Sequence, residues 1–256
     1  MSNKTTRFKK VLFAGDIHFP DHDQAALEIL LAFRKDFKPD YVCLMGDIID
    51  ADSLSSFPGR KRSLKHQIDM ALDFFDEVKP THFLEGNHEQ RCNRDGLVPS
   101  GLEEMVDLRS LLQIEKRKIK WAPYSNDART GSFSFGKLRA LHGFYIGEYA
   151  AAQHAKAFGC CVYGHTHRCQ SFQSKQSTEK NTAFGLGCLC KLDLEYQRTG
   201  TPRGWTQGFG FAYVYPSGYF NFYNVRLIGD DFMINGKHYG RKTRSVENKK
   251  QNEVSF

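Results

Sequence analysis

Apolar residues recur along this chain in two rhythms. In the first, a short apolar run ends on residues that carry chemistry. Val11-Leu12-Phe13-Ala14 leads into Gly15-Asp16-Ile17-His18, and Tyr41-Val42-Cys43-Leu44-Met45 leads into Gly46-Asp47-Ile48-Ile49-Asp50. His82-Phe83-Leu84 passes through Glu85 into Gly86-Asn87-His88-Glu89; Leu138-Arg139-Ala140-Leu141 ends at His142-Gly143; Cys161-Val162-Tyr163 ends at Gly164-His165-Thr166-His167. Runs this short, bounded by Gly or Pro, read as buried strands. In the second rhythm apolar residues return every three or four positions. From Asp23 onward Ala26, Leu30, Phe33 and Phe37 form one helical stripe, which stops before Pro39. Leu64, Ile68, Ala71, Leu72, Phe75 and Val78 form a second, which stops before Pro80. Strand, helix, strand, helix, strand implies right-handed crossovers and a mostly parallel sheet.

From Gly131 the texture changes to short β runs at Ser132 to Phe135, Lys137 to Leu141, Ala183 to Leu189, Phe209 to Tyr215 and Tyr219 to Leu227. One alanine-rich helix, Glu148 to Phe158, interrupts them. The expected fold is α/β, a two-sheet mixed β sandwich flanked by helices, forming a single domain over residues 1–240. Ser100 and Glu103 make a capping box for a helix through Leu102, Met105, Val106 and Leu112. With the basic stretch Glu115 to Lys120 this gives a helical insertion over 101–120, expected at the mouth of the site. Arg241 to Phe256 is polar, mixed in charge and poor in large apolar residues, which predicts a disordered tail.

Composition narrows the class of protein. A chain of 256 residues, 40% hydrophobic and 25% charged, is long enough to bury a core without disulfides. No run approaches the roughly 20 apolar residues of a membrane helix, and Met1 to Lys10 is basic and polar rather than a signal sequence, so a cytosolic location is expected. The seven cysteines, including Cys188 and Cys190, show no zinc-ribbon spacing and read as reduced thiols packed as small hydrophobes. A net charge of +7 favours a polyanionic partner only mildly.

Five strands that end in Asp, Asn or His place one site at the carboxyl edge of a sheet, with Asp47 at its centre. Side chains at i and i+2 of an extended segment face the same way, about 6 to 7 Å apart. Asp16 and His18 can thus approach one ion together, and His165 and His167 can reach two neighbouring ions. Oxygen and imidazole donors without thiolate suit manganese first, with iron or zinc as alternatives.

Gly-Asp-x-His, Gly-Asp-x-x-Asp, Gly-Asn-His-Glu, a separate His and Gly-His-x-His, in that order from Gly15 to His167, resemble the five motifs of the calcineurin-like metallophosphoesterase superfamily. Gly86 to Arg91, Leu141 to Gly143, Gly164 to Arg168 and Trp205 to Phe209 resemble more closely a compact group frequent in phage and prophage genomes. The resemblance implies two divalent ions, the first held by Asp16, His18, Asp47 and His167, the second by Asp47, Asn87, His142 and His165, with Asp47 bridging. It implies in-line hydrolysis of a phosphate ester by a bridging hydroxide, without a covalent enzyme intermediate. His88 would then be the proton donor or transition-state stabiliser, and Asp50 the carboxylate that holds its ring.

Which ester is cleaved is less determined. Ala51 stands where the Ser/Thr phosphatases of the superfamily carry a phosphate-gripping Arg, and Glu89 stands where its nucleases usually carry Asp. Arg60, Lys61, Arg62 and Lys65, with Lys116, Arg117, Lys118 and Lys120, would form a groove for a phosphodiester backbone if both clusters flank the mouth. The alternative is that they are solvated surface charge. The leading expectation is a phosphodiesterase or DNA nuclease; the alternatives are a phosphomonoesterase acting on nucleotides or phosphoproteins, and a noncatalytic binding scaffold. His22, His66, His82, His154 and His238 are expected to be structural, and the alternation of Phe209, Phe211 and Tyr213 points to core packing. Glu89 reads equally as a support for the site or as an ion pair for Arg91.

Overall fold

The two rhythms become two sheets in the computed structural model, which describes residues 7–56, 59, 61–93, 98, 101–127, 129–175, 181–193 and 204–240. The elements up to the change of texture are β1 (Lys9–Ala14), α1 (Gln24–Phe37), β2 (Tyr41–Leu44), α2 (Leu64–Val78), β3 (His82–Leu84), α3 (Leu108–Leu111) and β4 (Lys120–Ala122). Then come β5 (Ser132–Phe135), β6 (Leu138–Leu141), α4 (Ala150–Phe158), β7 (Cys161–Tyr163), β8 (Gln170–Gln173), β9 (Thr182–Gly185), β10 (Gly208–Val214), β11 (Phe220–Arg226), β12 (Asp231–Ile234) and β13 (Lys237–Gly240).

The first sheet has the order β11-β10-β1-β2-β3-β4, parallel from β1 to β4 and antiparallel where β10 and β11 join. The second has the order β5-β6-β7-β9-β8, and β12 and β13 form a separate hairpin. Alternation along β1 shows how the sheets are used. Leu12 and Ala14 face α1 and α2, among Leu30, Phe33, Ile68 and Phe75. Val11 and Phe13 face the other way, against Leu138, Ala140, Val162 and Leu186 of the second sheet. On that sheet's outer face Leu141, Cys161 and Tyr163 take Ala151 and Ala155 of α4. The result is a four-layer α/β/β/α sandwich, as the sequence pattern predicts.

Helix limits follow from local chemistry. Asp23 caps α1 by accepting from the Ala26 N–H at 2.9 Å, and Ser63 caps α2 by accepting from the His66 N–H at 3.3 Å. Each ends on a lysine in the left-handed region, Lys38 (φ 49°) and Lys79 (φ 54°), immediately before a proline.

The 101–120 stretch does not form one helix among the described residues. It is a 3-10 turn at Glu103–Val106 and a single α turn, α3. Asp107 divides them, because its carboxylate accepts from the Ser110 N–H at 3.1 Å and starts a new turn. Ser100, the other half of the expected capping box, lies outside the described residues, as does the expected tail 241–256. β4 and β8 are edge strands and β12–β13 a separate hairpin, all with mostly exposed or partly exposed positions. Among the described residues no helix is long and apolar enough to cross a membrane.

Phe33 is where α1, the first sheet and the C-terminal hairpin meet. Its ring lies 5.0 to 5.7 Å from those of Phe37, Phe209, Phe211, Phe232 and Tyr239. Phe209 and Phe211 are core residues, 0% and 1% exposed. Phe33→Ala is expected to cost about 3 to 5 kcal/mol of folding stability, read from the urea midpoint at unchanged slope; a loss under about 1 kcal/mol would show that the hairpin closes over the gap.

Candidate metal centre

The parallel pairing of β1 with β2 continues past the strand ends as interlocked loops. Asp16 N–H donates to Gly46 O (2.9 Å), Ile17 and His18 N–H both donate to Asp47 O (2.8 and 3.0 Å), and Phe19 N–H donates to Ile48 O (2.8 Å). Turning the chain this sharply puts Asp16 (φ 51°), His18 (φ 54°), Asp47 (φ 51°), His165 (φ 65°) and His167 (φ 55°) in the left-handed region. Close approach demands glycine at two neighbours. A Cβ on Gly46 would lie 2.7 Å from Gly86 N, and one on Gly86 would lie 2.2 Å from an Asp47 carboxylate oxygen.

The fully buried Glu89 carboxylate holds these loops from below. Oε2 accepts from the N–H groups of Asp47 (2.7 Å) and Gly86 (2.8 Å), and Oε1 from those of Ile48 (2.6 Å) and Ile49 (3.1 Å). Burial, then the nearby Asp47 charge, push its pKa up to about 7, while the backbone donors pull the other way. It makes no bond to Arg91, whose Nη1 donates instead to Asp50 O at 2.7 Å.

From these loops the side chains converge. Asp47 Oδ2 is 3.4 Å from His142 Nε2, 3.9 Å from His18 Nε2 and 4.0 Å from His88 Nε2. On one side of it, His167 Nε2 lies 3.3 Å from Asp16 Oδ1 and 3.2 Å from His18 Nε2. On the other, Asn87 Oδ1 lies 3.1 Å from His142 Nε2. The second sheet is tied in by backbone: His142 Nδ1 donates to Met45 O at 2.7 Å, and the His165 N–H donates to both Asp16 oxygens at 3.1 and 3.0 Å. His88 stands beside the cluster, with Nδ1 2.7 Å from Asp50 Oδ1. The same Asp50 oxygen is 3.5 Å from His18 Nδ1.

These residues fit divalent cations. Metal to nitrogen or oxygen bonds of about 2.0 to 2.2 Å place neighbouring donors about 3.0 to 3.5 Å apart, close to the spacing seen here. Among the described residues, ligand atoms of Asp16, His18 and Asp47, and separately of Asp47, His142 and His165, lie within 4.8 Å of one another. Electrostatics agree. Burial disfavours charge on His142, yet the Asp47 carboxylate lifts its pKa to about 9; burial likewise opposes charge on His167, yet Asp16 lifts it to about 10. His165, buried and beside His142, falls to about 4. Carboxylates that draw protons onto two buried imidazoles would draw a cation more strongly.

Outside the cluster the basic residues are differently placed. Arg62 is tied to Asp21 (2.7 Å), Asp50 (2.9 Å) and Asp52 (2.6 Å), Lys65 pairs with Asp69 and Arg117 pairs with Asp76. Lys120 opens β4 opposite His82 at the start of β3, so it sits at the amino edge of the sheet, away from the cluster. The two basic clusters therefore do not flank one mouth; Arg60 lies outside the described residues. His154 is structural: Nδ1 donates to Ala150 O (2.8 Å), Nε2 accepts from the Phe144 N–H (3.1 Å), and burial holds its pKa down to about 4. Sequence reasoning misses two neighbours of His167, Trp205 (ring centroid 4.2 Å away) and Cys190 (Sγ 3.9 Å from Nδ1). The only signal for Cys190 is its place in Cys188-x-Cys190, which carries no ligand spacing.

A sequence profile described as calcineurin-like phosphoesterase matches residues 9–143. No curated protein matches the chain. Solved structures similar to it include a metallophosphoesterase from Sphaerobacter thermophilus, 16% identical, with 87% of this chain and 89% of that one covered and a TM-score of 0.44. Vacuolar protein sorting 29 from Cryptosporidium parvum is 16% identical over 90% and 94%, TM-score 0.45. The nuclease MPE from Pseudomonas putida is 12% identical over 82% and 85%, TM-score 0.36.

Glu89→Gln replaces an acceptor with a donor facing two backbone N–H groups. Each amide left unpaired is expected to cost about 1 to 3 kcal/mol, seen as a lower melting temperature together with weaker metal uptake in equilibrium dialysis. A variant that melts and binds like its parent would show that the loops hold themselves.

Proposed function

This chain belongs to the calcineurin-like phosphoesterase family, and on that premise we propose that it is a dinuclear-metal phosphodiesterase, with DNA among its candidate substrates. The observation that carries this reading is the position of Asp47 Oδ2, within 4.0 Å of His18, His88 and His142 and so between two groups of donors. Asp16, His18, Asp47 and His167 would hold the first ion; Asp47, Asn87, His142 and His165 would hold the second. Two divalent ions, manganese first for such imidazole and carboxylate donors, supply Lewis acidity, an activated water and neutralisation of phosphoryl charge.

The rest is done by side chains of the chain itself. Asp50 accepts from His88 Nδ1, which leaves Nε2 facing the cluster and able to give a proton to the departing oxygen. Burial opposes a charged His88, but Asp47 and Asp50 outweigh it and raise its pKa, keeping that proton in place. A diester leaves one negative charge at the reacting phosphorus, which suits a rim where Arg62 is already matched by three carboxylates. With Lys120 at the far edge of the sheet, a short or single-stranded diester suits the cleft better than a long duplex. The absence of a disulfide among the described cysteines suits a reducing, cytosolic setting.

One observation favours a phosphomonoesterase instead. Arg91 Nη2 lies 3.4 Å from His88 Nε2, and a second cation beside the proton donor would suit a dianionic phosphate.

The deciding measurement compares rates on bis-nitrophenyl phosphate and nitrophenyl phosphate after manganese loading. Faster diester turnover, abolished by chelation and by Asp47→Asn, is expected; a faster monoester overturns the diester assignment. On a diester with a poor leaving group His88→Asn should lose about 10² to 10⁴ in rate while both metal equivalents remain bound. Loss of metal from that variant would instead make His88 a ligand.

A further inference from the structure

We propose that the cavity at the amino edge of the first sheet, at the opposite end of the strands from the metal cluster, binds a small aromatic monoanion that carries an O–H or N–H donor, a ligand of the hydroxybenzoate class.

Position is the first argument. A cavity of about 280 Å³ lies between the two sheets where β1 to β4 begin, lined by Val11, Tyr41, His82, Lys120, Phe135 and Val214, with Lys9 at its edge. Val11 pairs with Tyr41, and His82 pairs with Cys43 and with Lys120, so these side chains share the face of the first sheet that meets the second. The same strands run from this cavity toward Asp16, Asp47 and Asn87 beyond their other ends. The cavity is therefore a separate site and not an extension of the cluster. Pockets for drug-sized ligands span about 300 to 1,000 Å³, and a volume near the lower limit admits a single ring.

An unpartnered polar atom is the second argument. His82 is only 7% exposed. The Thr81 hydroxyl donates to Val42 O at 3.0 Å, so it accepts from His82 Nδ1 at 2.8 Å. The neutral ring then carries its lone pair on Nε2, and among the described residues nothing bonds that atom. Burial, then the charge of Lys120, holds the His82 pKa down to about 4, which keeps Nε2 an acceptor at neutral pH. A buried acceptor of this kind ordinarily has a donor, and here the donor has to come from the cavity. Sequence pattern alone reads His82 as structural, because a histidine at the start of a strand says nothing about which ring nitrogen is engaged.

Charge and shape supply the rest of the ligand. Lys9 Nζ lies 3.5 Å from Asp40 Oδ1, so its charge is already matched. Among the described residues Lys120 has no carboxylate partner, which leaves one uncompensated cation beside His82. One net positive charge calls for a carboxylate and not for a phosphate dianion. Tyr41 and Phe135, with ring centroids 5.8 Å apart, and the two valines give the cavity aromatic and aliphatic walls suited to a flat ring.

Calorimetric titration of the full chain with meta- and para-hydroxybenzoate, benzoate and para-hydroxybenzamide tests this. At least one hydroxybenzoate is expected to bind with a Kd at or below about 1 mM, with benzoate and the benzamide each at least about tenfold weaker. Lys120→Met should erase the preference for the hydroxybenzoate over the benzamide, and His82→Phe should erase the preference over benzoate. Asp47→Asn should bind like its parent; loss of binding in that variant would put the ligand on the metal cluster and overturn the proposal. Absence of saturable hydroxybenzoate binding in the millimolar range overturns it as well, as does benzoate binding as tightly as its hydroxy analogues. If His82→Phe does not fold, the nitrogen resonance of His82 Nε2 in the parent decides: a shift on saturation is expected, and an unmoved resonance removes His82 from the site and overturns the assignment.

Discussion

One buried carboxylate organises the carboxyl edge of the first sheet. Glu89 gathers four backbone N–H groups from two loops, those after β2 and β3, and by doing so fixes where Asp47, Asn87 and His88 point. A carboxylate without solvent is tolerable only when its lone pairs are filled, and charge-assisted bonds from backbone amides fill them strongly. The bond from the His88 N–H to Asp47 Oδ1 at 2.9 Å then closes the ring between the same two loops. Onto this clamp the second sheet is docked by His142 at Met45 and by His165 at Asp16. Each sheet thus supplies part of a cluster that neither could form alone.

Asp50 links two parts of that cluster. Its Oδ1 faces both His18 Nδ1 and His88 Nδ1, so one anion is shared between two imidazoles of the cluster. Arg62 and the Arg91 guanidinium surround it, Arg62 through Oδ2 at 2.9 Å. Charge at the rim is therefore internally matched rather than offered to solvent, which explains why Arg62, prominent as a basic residue in the sequence, is not a free cation.

The strand-then-polar rhythm makes the architecture legible because a buried strand has few ways to end, and both sheets follow from it. The convergence of Asp16, His18, Asp47, Asn87, His142, His165 and His167 is legible in the same way, since parallel strands bring their carboxyl ends to one edge. What escapes the sequence is whatever depends on long-range placement. Glu89 has an ambiguous sequence context, because accepting backbone N–H groups leaves no residue pattern. Cys190 reaches His167 only through a bridge to His22 and bonds to the Asp16 loop, far apart in the chain. The expected helix through Leu102, Met105, Val106 and Leu112 breaks at Asp107 because a local cap there outcompetes continuation, a contest that apolar spacing does not register.

The left-handed backbone at Asp16, His18, Asp47, His165 and His167 carries a further implication. Each such residue sits in a conformation that costs of the order of 1 kcal/mol relative to glycine, and the surrounding bonds hold it there against its own preference. The cluster is thus a zone of local frustration inside an otherwise consistent fold. Selection for thermal robustness alone would find its easiest gains at these five positions, by admitting glycine or asparagine, and would erase the chemistry first. The same five positions therefore carry both the unfavourable backbone conformation and the side chains that converge at the cluster.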